Sequence, residues 1–231
     1  TIHLGDFPDV ETLISKQRKY LRDLDTIPEF TDETLLRQIV ASYFNLIEQI
    51  DYEIGQVLEK LKTLGLYDDT VVTFCADHGD RAGVLRLNNK PGCTTDQINH
   101  VPLIIKPPAA ADPGRREKAT VRLIDLWPTL AEFCGLSLPD SVEGASLAPA
   151  FRGEPLGERT AVTDGLSERA VIRDGWALYT YWKRHRYDEL YHLAEDPEER
   201  RNLGPDTAFA TKRQELKVAL IREISQPFDE E

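Results

Sequence analysis

Thr70-Val71-Val72-Thr73-Phe74-Cys75-Ala76-Asp77-His78-Gly79-Asp80 is the stretch on which the fold turns. Its first seven residues are short, continuous and β-branched. They predict a strand buried on both faces, as in a parallel sheet covered by helices. The last four are polar and include a glycine, so the chain bends where the strand ends. In open α/β sheets, ligands bind beyond the carboxyl ends of strands. Neighbours within a strand face opposite ways; past its end, Asp77 and His78 are free to converge. A carboxylate oxygen and a neutral imidazole nitrogen are each competent metal ligands. The same string also occurs as a plain polar turn with the aspartate as its cap, and taken alone it leaves both readings open.

Upstream, Thr31 and Asp32 offer N-cap oxygens and Glu33 places a carboxylate in a first turn. Leu36, Ile39, Val40, Tyr43, Ile47, Ile50, Ile54, Val57, Leu58 and Leu61 then recur at steps of three and four. That spacing predicts one long amphipathic helix, stopped at Gly65 by a left-handed C-cap. Residues 1–30 are mixed and polar, with Pro8 and Pro28, and read as a lead-in loop with room for a short helix. Downstream, Val101-Pro102-Leu103-Ile104-Ile105 predicts a second buried strand. Asp125 to Cys134 predicts a helix with Pro128 in its first turn and Gly135 at its end. This order gives an α/β class, part of a mixed or parallel sheet flanked by helices.

The tail differs in style. Arg169 to Arg173 and Trp176 to Tyr181 flank Asp174-Gly175, a strong hairpin signal. A short strand over Asp188 to Leu193, a turn at Asp196-Pro197-Glu198-Glu199 and a closing helix over 207–224 follow. The expected division is residues 1–155 as the α/β portion and 156–231 as a small antiparallel sheet with one helix.

Composition bounds the function. The 28 basic and 40 acidic residues leave a net charge of -12, which argues against nucleic acid or an anionic membrane surface as the main partner. No apolar run reaches the length of a membrane span. Cys75, Cys93 and Cys134 are too few and scattered for a disulfide framework, and Cys75 and Cys134 read as buried residues. The sequence opens at Thr1 and holds no Met, so it reads as part of a longer reading frame, with any signal peptide upstream and the compartment unassigned.

Further strings add to this. Tyr52-Glu53-Ile54-Gly55-Gln56-Val57-Leu58, Leu61, Gly65, Thr70-Val71-Val72 and Ala76-Asp77-His78-Gly79-Asp80 resemble the sulfatase family of the alkaline phosphatase superfamily in order and spacing. The resemblance continues through Gly83, Lys90, Val101 to Ile105, Asp125 to Leu130, Gly135 and Gly144-Ala145-Ser146-Leu147. It closes on Glu189 to Leu193, Asp196-Pro197-Glu198 and Asn202-Leu203, and so covers nearly all of residues 33–220. It implies the C-terminal half of a family member, acting as a metal-dependent sulfuric ester hydrolase on a small anionic ester.

Asp77 and His78 then look like two ligands of a divalent metal, calcium first, with manganese, zinc or magnesium as alternatives. Many sulfatases carry Asn where His78 stands; His is more typical of a subset that includes phosphonate and phosphodiester hydrolases. Lys90, thirteen positions after Asp77, looks like the catalytic lysine that binds a non-bridging oxygen of the sulfate or phosphoryl group. His100 is a weaker candidate for a substrate contact, and Asp80 is expected to cap the next turn. The family's formylglycine arises from a Cys or Ser in a C-x-P-S-R-like string. No such string occurs here, so it is expected in an absent N-terminal half, and the chain alone is expected to be inactive. Two other readings stand beside this one. The first is a phosphonate monoester or phosphodiester hydrolase, or a phosphoryl transferase, of the same superfamily. The second is a non-catalytic fragment that only packs against a partner and exposes a large apolar face. A homo-oligomer is also left open.

Overall fold

Asp32 starts the first helix, α1 (Glu33–Thr63), by accepting at Oδ1 from the Thr34 and Leu35 amides at 2.8 and 3.2 Å. Its end is equally local. Gly65 has φ +68°, its amide donates to the Lys62 carbonyl, and the Leu66 amide donates to the Leu61 carbonyl, each at 2.9 Å. That pair of bonds is a Schellman cap, which only a residue tolerant of positive φ closes cheaply. The computed structural model describes residues 32–82, 94–108, 114–165, 168–181 and 188–225.

After α1 come β1 (Val72–Cys75), α2 (Asp96–Asn99), β2 (Leu103–Lys106) and a 3-10 turn over Leu123–Asp125 that leads into α3 (Leu126–Phe133). Then follow α4 (Ala148–Phe151), β3 (Ala161–Asp164), β4 (Glu168–Arg173), β5 (Trp176–Tyr181) and β6 (Glu189–His192). A 3-10 turn at Thr207–Phe209 opens the last helix, α5 (Ala210–Ile224). The described residues of 1–50, 78–100 and 162–231 form one unit, and those of 51–77 and 101–161 another.

In the second unit β1 and β2 pair antiparallel, Val72 opposite Lys106 and Cys75 opposite Leu103. The expectation of a parallel pair buried on both faces is corrected here. The α/β class stands, but this pair is antiparallel, β1 is only partly buried and Cys75 is exposed. Cys134, past the end of α3, is exposed too. A short apolar run has the same sequence whether both its faces are covered or one is; coverage comes from elsewhere in the chain. The stripe of α1 makes the same point, since Leu36 and Val40 are buried while Ile47, Ile50 and Val57 stand exposed.

This unit is organised by a buried carboxylate. Asp125, 0% exposed, accepts at Oδ2 from the Arg122 amide at 2.9 Å and from Arg159 Nη1 at 3.0 Å, and at Oδ1 from the Ala145 amide at 2.9 Å. Its backbone carbonyl accepts from Thr129 Oγ1 at 2.6 Å, and that oxygen accepts from the Leu147 amide at 2.8 Å. Arg159 Nη2 donates to the Ser146 carbonyl at 3.1 Å. Gly144 holds φ +94°, and a Cβ there would collide with the Ile124 carbonyl oxygen. The string Gly144-Ala145-Ser146-Leu147 is thus fixed by close approach at Gly144 and by three hydrogen bonds, to Asp125, Thr129 and Arg159.

The first unit carries a four-stranded sheet in the order β3-β4-β5-β6, with β4, β5 and β6 antiparallel in turn. The hairpin is as the sequence predicts. Arg173 pairs with Trp176, and Asp174 and Gly175 both take positive φ, +51° and +75°, which matches the twist of the strands they join. One face of the sheet presents Val171, Leu178 and Leu190 to Leu216, Ala219 and Leu220 of α5, with Leu203 closing the cluster. β3 is a strand the sequence reading missed.

The other face is polar and buried. Glu168 and Glu189 lie there among Ala170, Ala177, Tyr179 and Tyr191. Burial pushes the Glu189 carboxyl up to about 8, against the hydrogen bonds from the Tyr181 and Tyr191 hydroxyls that favour its ionised form. The folded chain therefore keeps a proton there that the unfolded chain releases near pH 4.5. This stability is full below that pH and is lost as pH rises through the folded value.

Asp125→Ala, which leaves Arg159 without its buried counter-ion, is expected to cost about 3–5 kcal/mol in urea unfolding. Glu154→Ala, on the exposed Arg152–Glu154 pair, should leave the urea midpoint near that of the wild type. Stability should fall between about pH 5 and about pH 8, by no more than about 1.4 kcal/mol per unit from Glu189. Glu189→Gln should flatten that slope, and an unchanged slope would mean the proton sits elsewhere.

Candidate functional site

β1 ends at Cys75, and two residues on the chain presents Asp77, whose side chain is exposed. The next residue, His78, is half-buried, with Nδ1 2.9 Å from the Gly79 carbonyl oxygen. A carbonyl oxygen only accepts, so Nδ1 carries the proton and the lone pair of the neutral ring lies on Nε2.

Gly79 cannot be another residue. Its amide donates to the Ile98 carbonyl at 2.7 Å, and a Cβ would collide with the Gln97 carbonyl oxygen. The glycine is there to let two backbones touch. Asp80 does what the sequence suggests, accepting at Oδ1 from the Ala82 amide at 2.8 Å. Ala82 has φ +44°, a turn that this bond supports.

The segment that receives Gly79 is held from the C-terminal part of the same unit. The Asp96 amide donates to Glu199 Oε2 at 3.2 Å, and Gln97 Nε2 donates to the Pro197 carbonyl at 3.0 Å. Thr163 Oγ1 donates to Asn99 Oδ1 at 3.3 Å. The Tyr179 hydroxyl donates to Glu199 Oε1. Burial pushes the Glu199 carboxyl up to about 7, with the Tyr179 and Asp96 hydrogen bonds opposing.

Of the other residues named from sequence, His100 is exposed and its Nδ1 lies 3.3 Å from Asp96 Oδ2. That hydrogen bond is the main reason its pKa is raised. The ring is thus engaged with its own helix. Lys90 and Cys93 fall outside the described residues. Asp77 and His78 therefore follow one another at the strand end, and the turn at Gly79 is joined to the 96–100 segment. Among the described residues no group of three or more His, Cys, Asp or Glu is placed to hold a metal. A carboxylate oxygen and the Nε2 of a neutral imidazole are of the donor types that a divalent cation takes. Glu199 was not visible as part of this arrangement from sequence; its one local signal was the turn begun by Asp196-Pro197. Nor is any described helix long and apolar enough to cross a membrane.

The model described as Sulfatase matches residues 9–136, and one described as N-sulphoglucosamine sulphohydrolase, C-terminal, matches residues 93–226. The chain is 28% identical to an arylsulfatase of Clostridium perfringens, covering 88% of this chain and 44% of that protein. It is 32% identical to a choline-sulfatase of Rhizobium meliloti, covering 83% and 39%. A phosphonate monoester hydrolase of Agrobacterium radiobacter superposes with a TM-score of 0.73 at 26% identity, over 83% of this chain and 42% of that one. The chain thus spans less than half the length of these relatives.

Gly79→Ala is expected to destabilise the first unit by about 1–3 kcal/mol, the usual cost of forcing a methyl into filled space. Thermal unfolding of the variant measures it, and a wild-type midpoint would contradict the close approach.

Proposed function

Because the chain belongs to the sulfatase family, we propose that it supplies part of the active site of a metal-dependent sulfuric ester hydrolase. What carries this reading is the family match over residues 9–136, within which Asp77, His78 and Lys90 all fall. The Nδ1 bond of His78 supports it, because a ligand imidazole whose other nitrogen is held by a carbonyl is oriented and kept in one tautomer.

In this reading Asp77 supplies a carboxylate oxygen and His78 supplies Nε2 to a divalent cation, calcium first, with manganese, zinc or magnesium as alternatives. A cation so bound would supply Lewis-acid polarisation of the ester oxygens. Gly79, through its bond to Ile98, fixes where the His78 ring points. The Lys90 ammonium binds a non-bridging oxygen and offsets the charge that grows on the transferring group. His100 stays a weaker candidate for a substrate contact, since it would first have to leave Asp96. The 231 residues hold no C-x-P-S-R-like string, so the nucleophile, a formylglycine in this family, belongs to another part of the enzyme. The substrate class is a small anionic ester, and the chain alone is silent.

A second reading keeps the scaffold and exchanges sulfur for phosphorus. It is favoured by His at position 78 and by the likeness to the Agrobacterium phosphonate monoester hydrolase.

In the enzyme that carries this chain, Asp77→Ala and His78→Ala should each lower turnover of para-nitrophenyl sulfate by at least about 100-fold. Lys90→Ala should lower it by about 100- to 1000-fold. EDTA should abolish it and added cation restore it, while the 231-residue chain alone should match a blank. Wild-type turnover by Asp77→Ala would sink the ligand assignment. A larger kcat/KM for phenylphosphonate esters than for aryl sulfates would select the second reading.

A further inference from the structure

Four hydrogen bonds in sequence join the C-terminal sheet to the imidazole of His78. The Tyr179 hydroxyl donates to Glu199 Oε1, and Glu199 Oε2 accepts from the Asp96 amide at 3.2 Å. Asp96 begins α2, whose Ile98 carbonyl accepts from the Gly79 amide at 2.7 Å. The Gly79 carbonyl in turn accepts from His78 Nδ1 at 2.9 Å. We propose that Glu199 is a positioning residue for the His78–Gly79 turn, acting at a distance through α2.

Several observations favour this over a role as general glue. Glu199 is 6% exposed yet carries a carboxyl, and both of its oxygens are used, one on the sheet and one on α2. Its backbone has φ +54°, a region that costs a non-glycine residue energy and persists only where surrounding contacts hold it. A second bond, Gln97 Nε2 to the Pro197 carbonyl at 3.0 Å, ties the same two segments, so α2 is gripped at successive residues. The helix is one turn long and has no side-chain cap of its own; among the described residues the carboxylate of Glu199 takes the orphan amide that such a start leaves. A merely structural Glu199 would matter equally to the sheet and to α2. A positioning Glu199 matters more to α2 and to what α2 holds. For its catalytic consequence the proposal rests on His78 being a ligand, as inferred above; the geometry of the relay does not.

Hydrogen–deuterium exchange on the whole chain, read amide by amide, tests it without any metal. In Glu199→Ala the Gly79, Asn99 and His100 amides are expected to exchange at least about tenfold faster, and the Leu178 and Leu190 amides of the sheet to keep wild-type rates. Glu199→Gln, which retains one accepting oxygen, should fall between. If Glu199→Ala does not fold, Tyr179→Phe stands in, because it removes one donor and keeps the ring; there Gly79 should exchange several-fold faster. Unchanged Gly79 exchange in the folded variants overturns the proposal, and so does an equal acceleration across β4, β5 and β6. Line broadening of the His78 ring by Mn²⁺ in the wild-type enzyme checks the ligand reading separately. Its absence beside a responsive Gly79 would remove the ligand and leave the relay.

Discussion

The bond from the Gly79 amide to the Ile98 carbonyl, at 2.7 Å, is the contact around which the candidate site is built. It requires the strand-end turn and α2 to approach more closely than any side chain allows. Once made, it sets the direction of the Gly79 carbonyl, which holds His78 Nδ1. With Nδ1 as the donor, the lone pair of a neutral ring lies on Nε2, the tautomer a metal takes. A glycine thus does chemistry at one remove, by fixing a tautomer.

Both units use a buried carboxylate as an anchor, and in each case backbone amides are among the partners. Asp125 joins the start of α3 to residues 145 and 159; Glu199 joins β5 to α2. A buried charge is costly unless every lone pair finds a donor. What such an anchor offers in return is definition, since misplacing it leaves an ion or several amides unsatisfied. The two environments differ. Asp125 has the Arg159 guanidinium hydrogen-bonded to it; at Glu199 burial raises the pKa, against the Tyr179 and Asp96 hydrogen bonds and the charge of Arg81.

Much of the string that marks the family turns out to be structural. Gly144 to Leu147 is tied down at Asp125 and Thr129. Asn202 Oδ1 accepts from the Leu190 and Gly204 amides at 3.1 and 2.8 Å, and the Leu203 amide donates to the Leu190 carbonyl at 2.8 Å. Asp196 accepts from the Arg200 and Arg201 amides at 2.9 and 2.8 Å. These residues hold loops against elements.

The features readable from sequence were those closed by partners a few residues away. The Asp32 cap and Gly65 stop of α1, the Asp174-Gly175 hairpin and the closing helix each depend on local bonds or local φ. Asp80 as a turn cap is the same kind of inference. Tertiary structure decided the rest. It set β1 against β2 in antiparallel register, exposed Cys75 and Cys134 and left Ile47, Ile50 and Val57 of the α1 stripe open. It also brought Glu199 to Asp96 across 103 positions. Hydrophobic pattern records which residues can be covered and by what period, but not by which element. Contacts between distant segments depend on how the whole chain closes, and no spacing within one segment encodes that.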